Sequence, residues 1–206
     1  MTPLLLIGGG GHCRSCIDVI ESAEGYEIVG VVEREGGPRT PVLGYPVVGS
    51  DDDVGKLLAQ WKTVLITVGQ ITSPATRIRL YEFARSAGAS FPVIVSTNAY
   101  VSKHAEIRAG TIVMHSATVN AGARIDVNCI VNNHALVEHD AVVGSHSHIS
   151  TGARVNGGVT IGEGSFVGSG AIINQGVTVG AGCTVGSGSI IRKDVPPGTQ
   201  VRSDGR

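Results

Sequence analysis

Aromatic side chains make up only 4% of this 206-residue sequence and charged ones only 16%, with a formal net charge of −1. Scattered Lys and Arg leave no electrostatic footprint for nucleic acid or an anionic membrane surface. Long apolar runs are missing as well. The opening MTPLLLIGGGGH has no basic start, and its apolar stretch falls far short of the ~20 residues that span a bilayer. A cytoplasmic protein without membrane insertion is the expectation. The four cysteines, at 13, 16, 129 and 183, form no disulfide framework in a chain without a secretion signal. Cys13 and Cys16 make a CxxC where a helix is expected to start, but no second Cys or His pair has zinc spacing. They read as small packing residues, and no metal is expected.

Hydrophobic residues reach 42% and glycine 30 positions, a balance that suits tight turns and stacked small side chains better than an ordinary globular core. Two halves follow different rules. Residues 3–95 alternate apolar β-branched runs with helical stretches, the βαβ pattern of a parallel sheet with crossovers. Strands are predicted at 4–7, 28–32, 64–68 and 91–95. Helices are predicted at 15–23, 52–61 and 74–86, with Ser50 or Asp51 and Ser73 as N-caps. Residues 1–95 thus read as an α/β Rossmann-like domain, and 96–100 as a joint.

From residue 101 a Val or Ile recurs at every sixth position through Ile191, sixteen times without a miss. Four residues after most of these stands a small side chain, such as Ala117, Ala123, Cys129, Ala135 and Ala141. A unit this short cannot bury its apolar face alone, so successive units must stack into a solenoid. The pattern resembles the hexapeptide-repeat acyltransferases, in which three hexads make one triangular coil of a left-handed parallel β-helix. The resemblance implies a β-helix of about five coils over 101–195 and a tail over 196–206. The period is uninterrupted, so substrate contacts must come from outside the coils, and the N-terminal domain is the obvious source.

Acyl transfer from a thioester needs a base near the nucleophile and donors facing the developing oxyanion. The repeat region holds six histidines, at 104, 115, 134, 139, 146 and 148. His139, in Val137-Glu138-His139-Asp140, sits where the chain leaves a strand. It could take a proton while Asp140 or Glu138 orients the ring; a solvated turn is the plainer alternative. With 18 residues per coil, His139 stacks over Gly157, His148 over Phe166, and Asn120, Glu138, Asn156 and Asn174 form one ladder. His115, His134 and His139 share no 18-residue phase, which argues against an intersubunit zinc site of carbonic-anhydrase type.

A narrower resemblance spans nearly the whole chain. Gly8-Gly9-Gly10-Gly11-His12, Glu138-His139-Asp140 and Ser147-His148-Ile149-Ser150 are similar to the bacterial sugar acetyltransferases of the sialic acid O-acetyltransferase and UDP-4-amino-sugar N-acetyltransferase group. The resemblance implies that His139 is the general base and Asp140 its support. It implies that His148 and Gly157 line the acetyl-CoA site, with an oxyanion donor at a backbone N–H near Gly157, and that Ser169 and Ser187 lie along the pantetheine path. Members are homotrimers with active sites between subunits.

Gly8 to His12, between a strand and a helix, presents backbone N–H groups and a positive helix end to phosphate. The third glycine of a dinucleotide fingerprint would fall at Cys13, which argues for a mononucleotide-type contact rather than NAD. Gly8, Gly10, Gly11 and His12 are therefore substrate-site candidates. So are Glu33 at the end of the second strand and Gly69 and Gln70 at the end of the third. Related N-acetyltransferases hold the UDP of a sugar nucleotide in this domain, although Arg34 departs from a second acidic residue found in some of them. The ending Thr199 to Arg206 also departs from the expected Gly-x-Pro-Ala-Lys type, which shifts coenzyme A phosphate contacts toward Arg192 and Lys193. The implied activity is N-acetylation of the 4-amino group of a UDP-4-amino-4,6-dideoxy sugar, with acetyl-CoA as co-substrate. O-acetylation of a sialic acid, or a β-helix serving as a scaffold, are the alternatives.

Overall fold

The computed structural model describes residues 1–202. The chain opens with β1 (Thr2–Ile7), α1 (Gly11–Ser22), β2 (Tyr26–Glu33), β3 (Val47–Ser50), α2 (Val54–Gln60), β4 (Val64–Ile66) and α3 (Ala75–Ser86). The strands form an all-parallel sheet in the order β3-β2-β1-β4. Leu4 and Leu6 point to the α1 face, Leu5 and Ile7 to the α2 and α3 face, and all four are fully buried. A strand covered on both sides must be apolar throughout.

Three elements differ from the sequence reading. Helix α1 starts at Gly11 rather than at 15, because the glycine turn feeds straight into it with Gly10 as N-cap. Strand β3, only four residues long, went unrecognised behind the Tyr45-Pro46 turn. The segment at 91–95 does not join the N-terminal sheet: Ile94–Val95 pairs with Ile112–Val113 and is the first rung of the β-helix. The caps shift from the expected residues: Ser50 caps the 3-10 turn Asp51–Asp53 that leads into α2, its N–H donating to Asp53 Oδ2 at 2.9 Å, whereas Asp53 and Pro74 are the N-caps of α2 and α3, and Ser73, one residue before Pro74, accepts from Ala75 N–H on its Oγ at 3.2 Å.

The second half is a left-handed parallel β-helix of two-residue strands arranged in sheets of five, seven and six. Partners lie 18 residues apart, as in Ile130↔His148 and His148↔Phe166. Gln200–Val201 adds a last rung onto Thr184–Val185, so the expected tail prolongs the solenoid. The repeating Val and Ile, with Ala, Cys and Ser from the turns, fill a continuous interior. At each turn one residue has positive φ, from Gly110 through Gly188 at every sixth position. Glycine is the low-cost occupant there, yet Ser116, Asn128, His134, Asp140 and His146 stand at five of these sites.

One face of the β-helix is joined to the N-terminal unit. Ile94, Ile112 and Ile130 project outward from the seven-stranded sheet and pack with Leu4, Leu6, Ile17, Cys13 and Cys16 in one cluster. Each such isoleucine stabilises the junction by roughly 1.5–3 kcal/mol. Burial pushes the Cys13 thiol up to about 11 and raises Cys16 too, so neither is a thiolate at neutral pH. Arg77 crosses the junction fully buried, donating to the carbonyls of Ile66 at 3.0 Å and Asn128 at 2.9 Å and to Asn128 Oδ1 at 2.7 Å. Asn128 pairs in turn with His146 Nδ1 at 2.9 Å.

Candidate active site

The glycine turn opens on a cavity of about 1110 Å³ between the sheet and the β-helix. Gly8 has φ of +113°, and a Cβ there would meet Val68 Cγ2 at 2.4 Å, so this glycine is required by the fold. Gly10 and Gly11 are different: a Cβ on either would meet nothing within 4 Å, because they face open space. Their N–H groups and the start of the 12-residue α1 supply the positive end that favours phosphate. Glu33, at the end of β2, reaches under this turn, its Oε2 lying 2.5 Å from where a Gly9 Cβ would be.

The cavity gathers the candidates Gly8, Gly10, Gly11, His12, Glu33, Gly69 and Gln70 from the N-terminal half. From the β-helix it gathers His148, Ser169 and Ser187. Gln70 joins the two sets. Its Nε2 donates to Gly164 O at 3.2 Å, and its own carbonyl lies 2.7 Å from His148 Nδ1. A carbonyl only accepts, so His148 carries its proton on Nδ1, leaving Nε2 to accept from Asn132 Nδ2 at 3.1 Å. Burial pushes His148 down to about 4 and His12 down to about 3, and both rings are neutral at physiological pH. His12 Nε2 is buried without a hydrogen-bond partner among the described residues.

His139, Asp140 and Gly157 do not line this cavity. They occupy another corner of the coil, between the six- and five-stranded sheets, where His139 and Asp140 are exposed. His139 Nδ1 lies 2.9 Å from Asp140 Oδ2, and this hydrogen bond raises the histidine above its ordinary 6.5. Glu138 fixes the backbone behind it, with Oε2 accepting from His139 N–H at 3.1 Å and from Asn120 Nδ2 at 2.8 Å. The ring lies over Gly157, where a Cβ would come within 2.6 Å of Nε2. The Gly157 N–H makes no hydrogen bond among the described residues, although the residue is buried. Asp140 holds a positive φ of 59°, as one of five non-glycine residues at the turn position where the coil favours glycine.

Sequence reasoning missed Asn132, Ser150 and Phe166 in the cavity wall, and Asp51 and Arg79 on its rim. The coil period could have found the first two, since Asn132 and Ser150 are 18 residues apart and precede the small Gly168 in the same stack. Asp51 and Arg79 meet only in three dimensions, bridged at 3.1 Å across 28 residues. Arg192 and Lys193 are exposed near the end of the solenoid, and Ser203 to Arg206 lie outside the described residues. Among the described residues no group of His, Cys, Asp or Glu could hold a metal ion, and no helix is long and apolar enough to cross a membrane.

Comparison with known proteins matches residues 3–83 to the PglD N-terminal domain and residues 158–193 to the bacterial transferase hexapeptide (six repeats). Among curated proteins none matches. Among solved structures, the acetyltransferase domain of PglB from Neisseria gonorrhoeae is 32% identical, with 99% of this chain and 98% of that one covered, at TM-score 0.90. The same domain in complex with acetyl coenzyme A is 33% identical over 98% and 96%, also at 0.90. PerB from Caulobacter crescentus, in complex with CoA and GDP-perosamine, is 30% identical over 98% and 94%, at 0.90.

Proposed function

The chain belongs to the bacterial hexapeptide-repeat sugar acetyltransferases, and from that premise we propose that it acetylates the 4-amino group of a UDP-linked 4-amino-4,6-dideoxy sugar. The observation that carries this reading is the single cavity in which a phosphate-type glycine turn and the polar wall of the acyltransferase solenoid face each other. The N-terminal unit holds the nucleotide at Gly10, Gly11 and Glu33, and the β-helix wall at His148, Ser169 and Ser187 holds acetyl-CoA. His139 Nε2 takes the proton from the amine as its nitrogen bonds to the thioester carbonyl carbon, while Asp140 stabilises the imidazolium. The Gly157 N–H faces the oxyanion. As the C–S bond breaks, His139 returns the proton to the leaving sulfur.

His139 and the cavity sit at the two edges of the six-stranded sheet, so one chain does not unite them. We read the active site as shared, with His139 of one subunit completing the cavity of the next in a homotrimer. A head-to-tail contact of this kind closes into a ring. The outward face of the six-stranded sheet suits burial in it, because Tyr100 and Ile190 are large, apolar and exposed there. We read the protein as cytoplasmic, its four cysteines being free thiols.

The test is acetyl-CoA consumption with a UDP-4-amino-4,6-dideoxy sugar and, in parallel, with free sialic acid. Turnover of the amino sugar is expected. Turnover of sialic acid alone would replace the acceptor with a hydroxyl, and silence on both would return the solenoid to a scaffold.

A further inference from the structure

We infer that Arg77, which lies outside the cavity, is a positioning residue for acetyl transfer, gripping from behind the wall that Gln70 and His148 present to acetyl-CoA. The inference rests on the reading of that wall given above. Arg77 stands in the first turn of α3 and is 1% exposed. Its Nη1 donates to the carbonyls of Ile66 at 3.0 Å and Val68 at 2.6 Å, and its Nη2 to Asn128 O at 2.9 Å and Asn128 Oδ1 at 2.7 Å. Every one of these acceptors is uncharged, and Nε is buried without any acceptor among the described residues. Burying a cation with no opposite charge is costly, and apolar side chains often replace buried ions without loss of stability. Stability alone therefore does not account for an arginine here. What a guanidinium adds is a rigid fork whose donors hold two backbones at once, which neither lysine nor an apolar side chain supplies.

Those two backbones are the two supports of His148. On the N-terminal side, Ile66 ends β4, and Val68 stands two residues before Gln70, whose carbonyl accepts from His148 Nδ1 at 2.7 Å. On the solenoid side, Asn128 stands two residues before Ile130, the residue that His148 pairs with in the next coil. Asn128 Nδ2 also lies 2.9 Å from Nδ1 of His146, two residues before His148. A guanidinium only donates, so Asn128 must turn Oδ1 toward Arg77 and donate from Nδ2, and His146 then keeps its proton on Nε2. One buried group thus fixes both approaches to His148 and the direction of the amide between them. Burial is the main cause that holds His12 at about 3 and His148 at about 4, and the Arg77 charge adds to it at both rings.

Steady-state kinetics on two full-length variants tests this. Arg77→Lys keeps the charge and loses the fork. Asn128→Gly removes the Oδ1 tie alone, and it keeps the fold because Asn128 holds a positive φ of 55°, where glycine is the low-cost residue. Arg77→Lys is expected to raise KM for acetyl-CoA roughly tenfold, about what one lost hydrogen bond is worth, and Asn128→Gly to raise it in the same direction by less. In both, kcat should change little, since His139 stands at another corner of the coil. An arginine that only holds the fold together would give the opposite split, a lower apparent kcat from fewer folded molecules at the parental KM. That split, or a parental KM in folded Asn128→Gly, would overturn the inference and leave the reading of the wall standing. NMR of the parent with 15N-labelled histidine separates the two: acetyl-CoA should shift the His148 ring signals, and signals that ignore it would overturn that reading and the inference with it.

Discussion

His148 and His139 are nine residues apart on one solenoid and have been driven in opposite directions. His148 is enclosed between the β-helix and the N-terminal unit, committed to Gln70 and Asn132, and pushed down to about 4 by burial. His139 is exposed, hydrogen-bonded to Asp140, and raised above 6.5. A base must change protonation near working pH and must be reachable by the nucleophile. Only the second site meets both conditions, so we propose the exposed histidine, and not the buried one, as the group that moves a proton.

Alanine substitution at each site breaks that contrast most forcefully. His139→Ala is expected to lower kcat roughly 10³-fold, within the range for loss of a positioned acid–base group, while acetyl-CoA affinity stays near that of the parent. His148→Ala is expected to leave the Gln70 carbonyl unpaired in a buried place, at about 1–3 kcal/mol of stability, and to raise KM more than it lowers kcat. Steady-state kinetics with a melting curve separates the two patterns. Near-normal turnover by His139→Ala would overturn its assignment.

A milder experiment asks whether the two corners meet across a subunit boundary. Gly10→Val should block the cavity without disturbing the turn, because Gly10 has ordinary extended φ and ψ and faces open space. Unfolding and refolding His139→Ala chains together with Gly10→Val chains in equal amounts should restore about one quarter of parental activity, the share of head-to-tail contacts that receive both intact halves. Recovery of no activity from two individually inactive variants would place both halves of the site within one chain.

How much of this was legible beforehand depends on the range of the interactions. The solenoid was readable because its period is local: each hexad repeats the same apolar and small residues, and the 18-residue stacking of His148 on Phe166 appears as predicted in the register. The glycine turn was readable from its strand and helix flanks. The junction was not. Ile112 and Ile130 look like any outward strand residue until α1 is laid on them, and Arg77 gives no sign in sequence that its partners are carbonyls on both sides of the joint. The 18-residue phase separates His139 from His148 along the coil, but nothing local in the chain shows which surface each corner faces.

The smallest expected effect is also the most discriminating, because it sets the two histidines against each other on one pH axis. In the proposed role, His139 acts as a base only when neutral. Its folded pKa is raised, so the acid limb of kcat should have its midpoint above 6.5. Asp140→Asn removes the charge and the charge-assisted hydrogen bond responsible, and should move that midpoint down toward 6.5 with only a several-fold loss of kcat, since the amide oxygen still orients the ring. For stability the sign reverses at His148. Its folded pKa lies below its ordinary value, so its contribution is fully present above 6.5 and fades as pH falls through about 4. Between these limits the enzyme should stop turning over before it loses its fold, and activity should return on neutralisation. A kcat–pH profile for parent and Asp140→Asn, with melting temperature followed over the same range, checks both halves. An acid limb that ignores Asp140→Asn would mean that the titrating base is not His139.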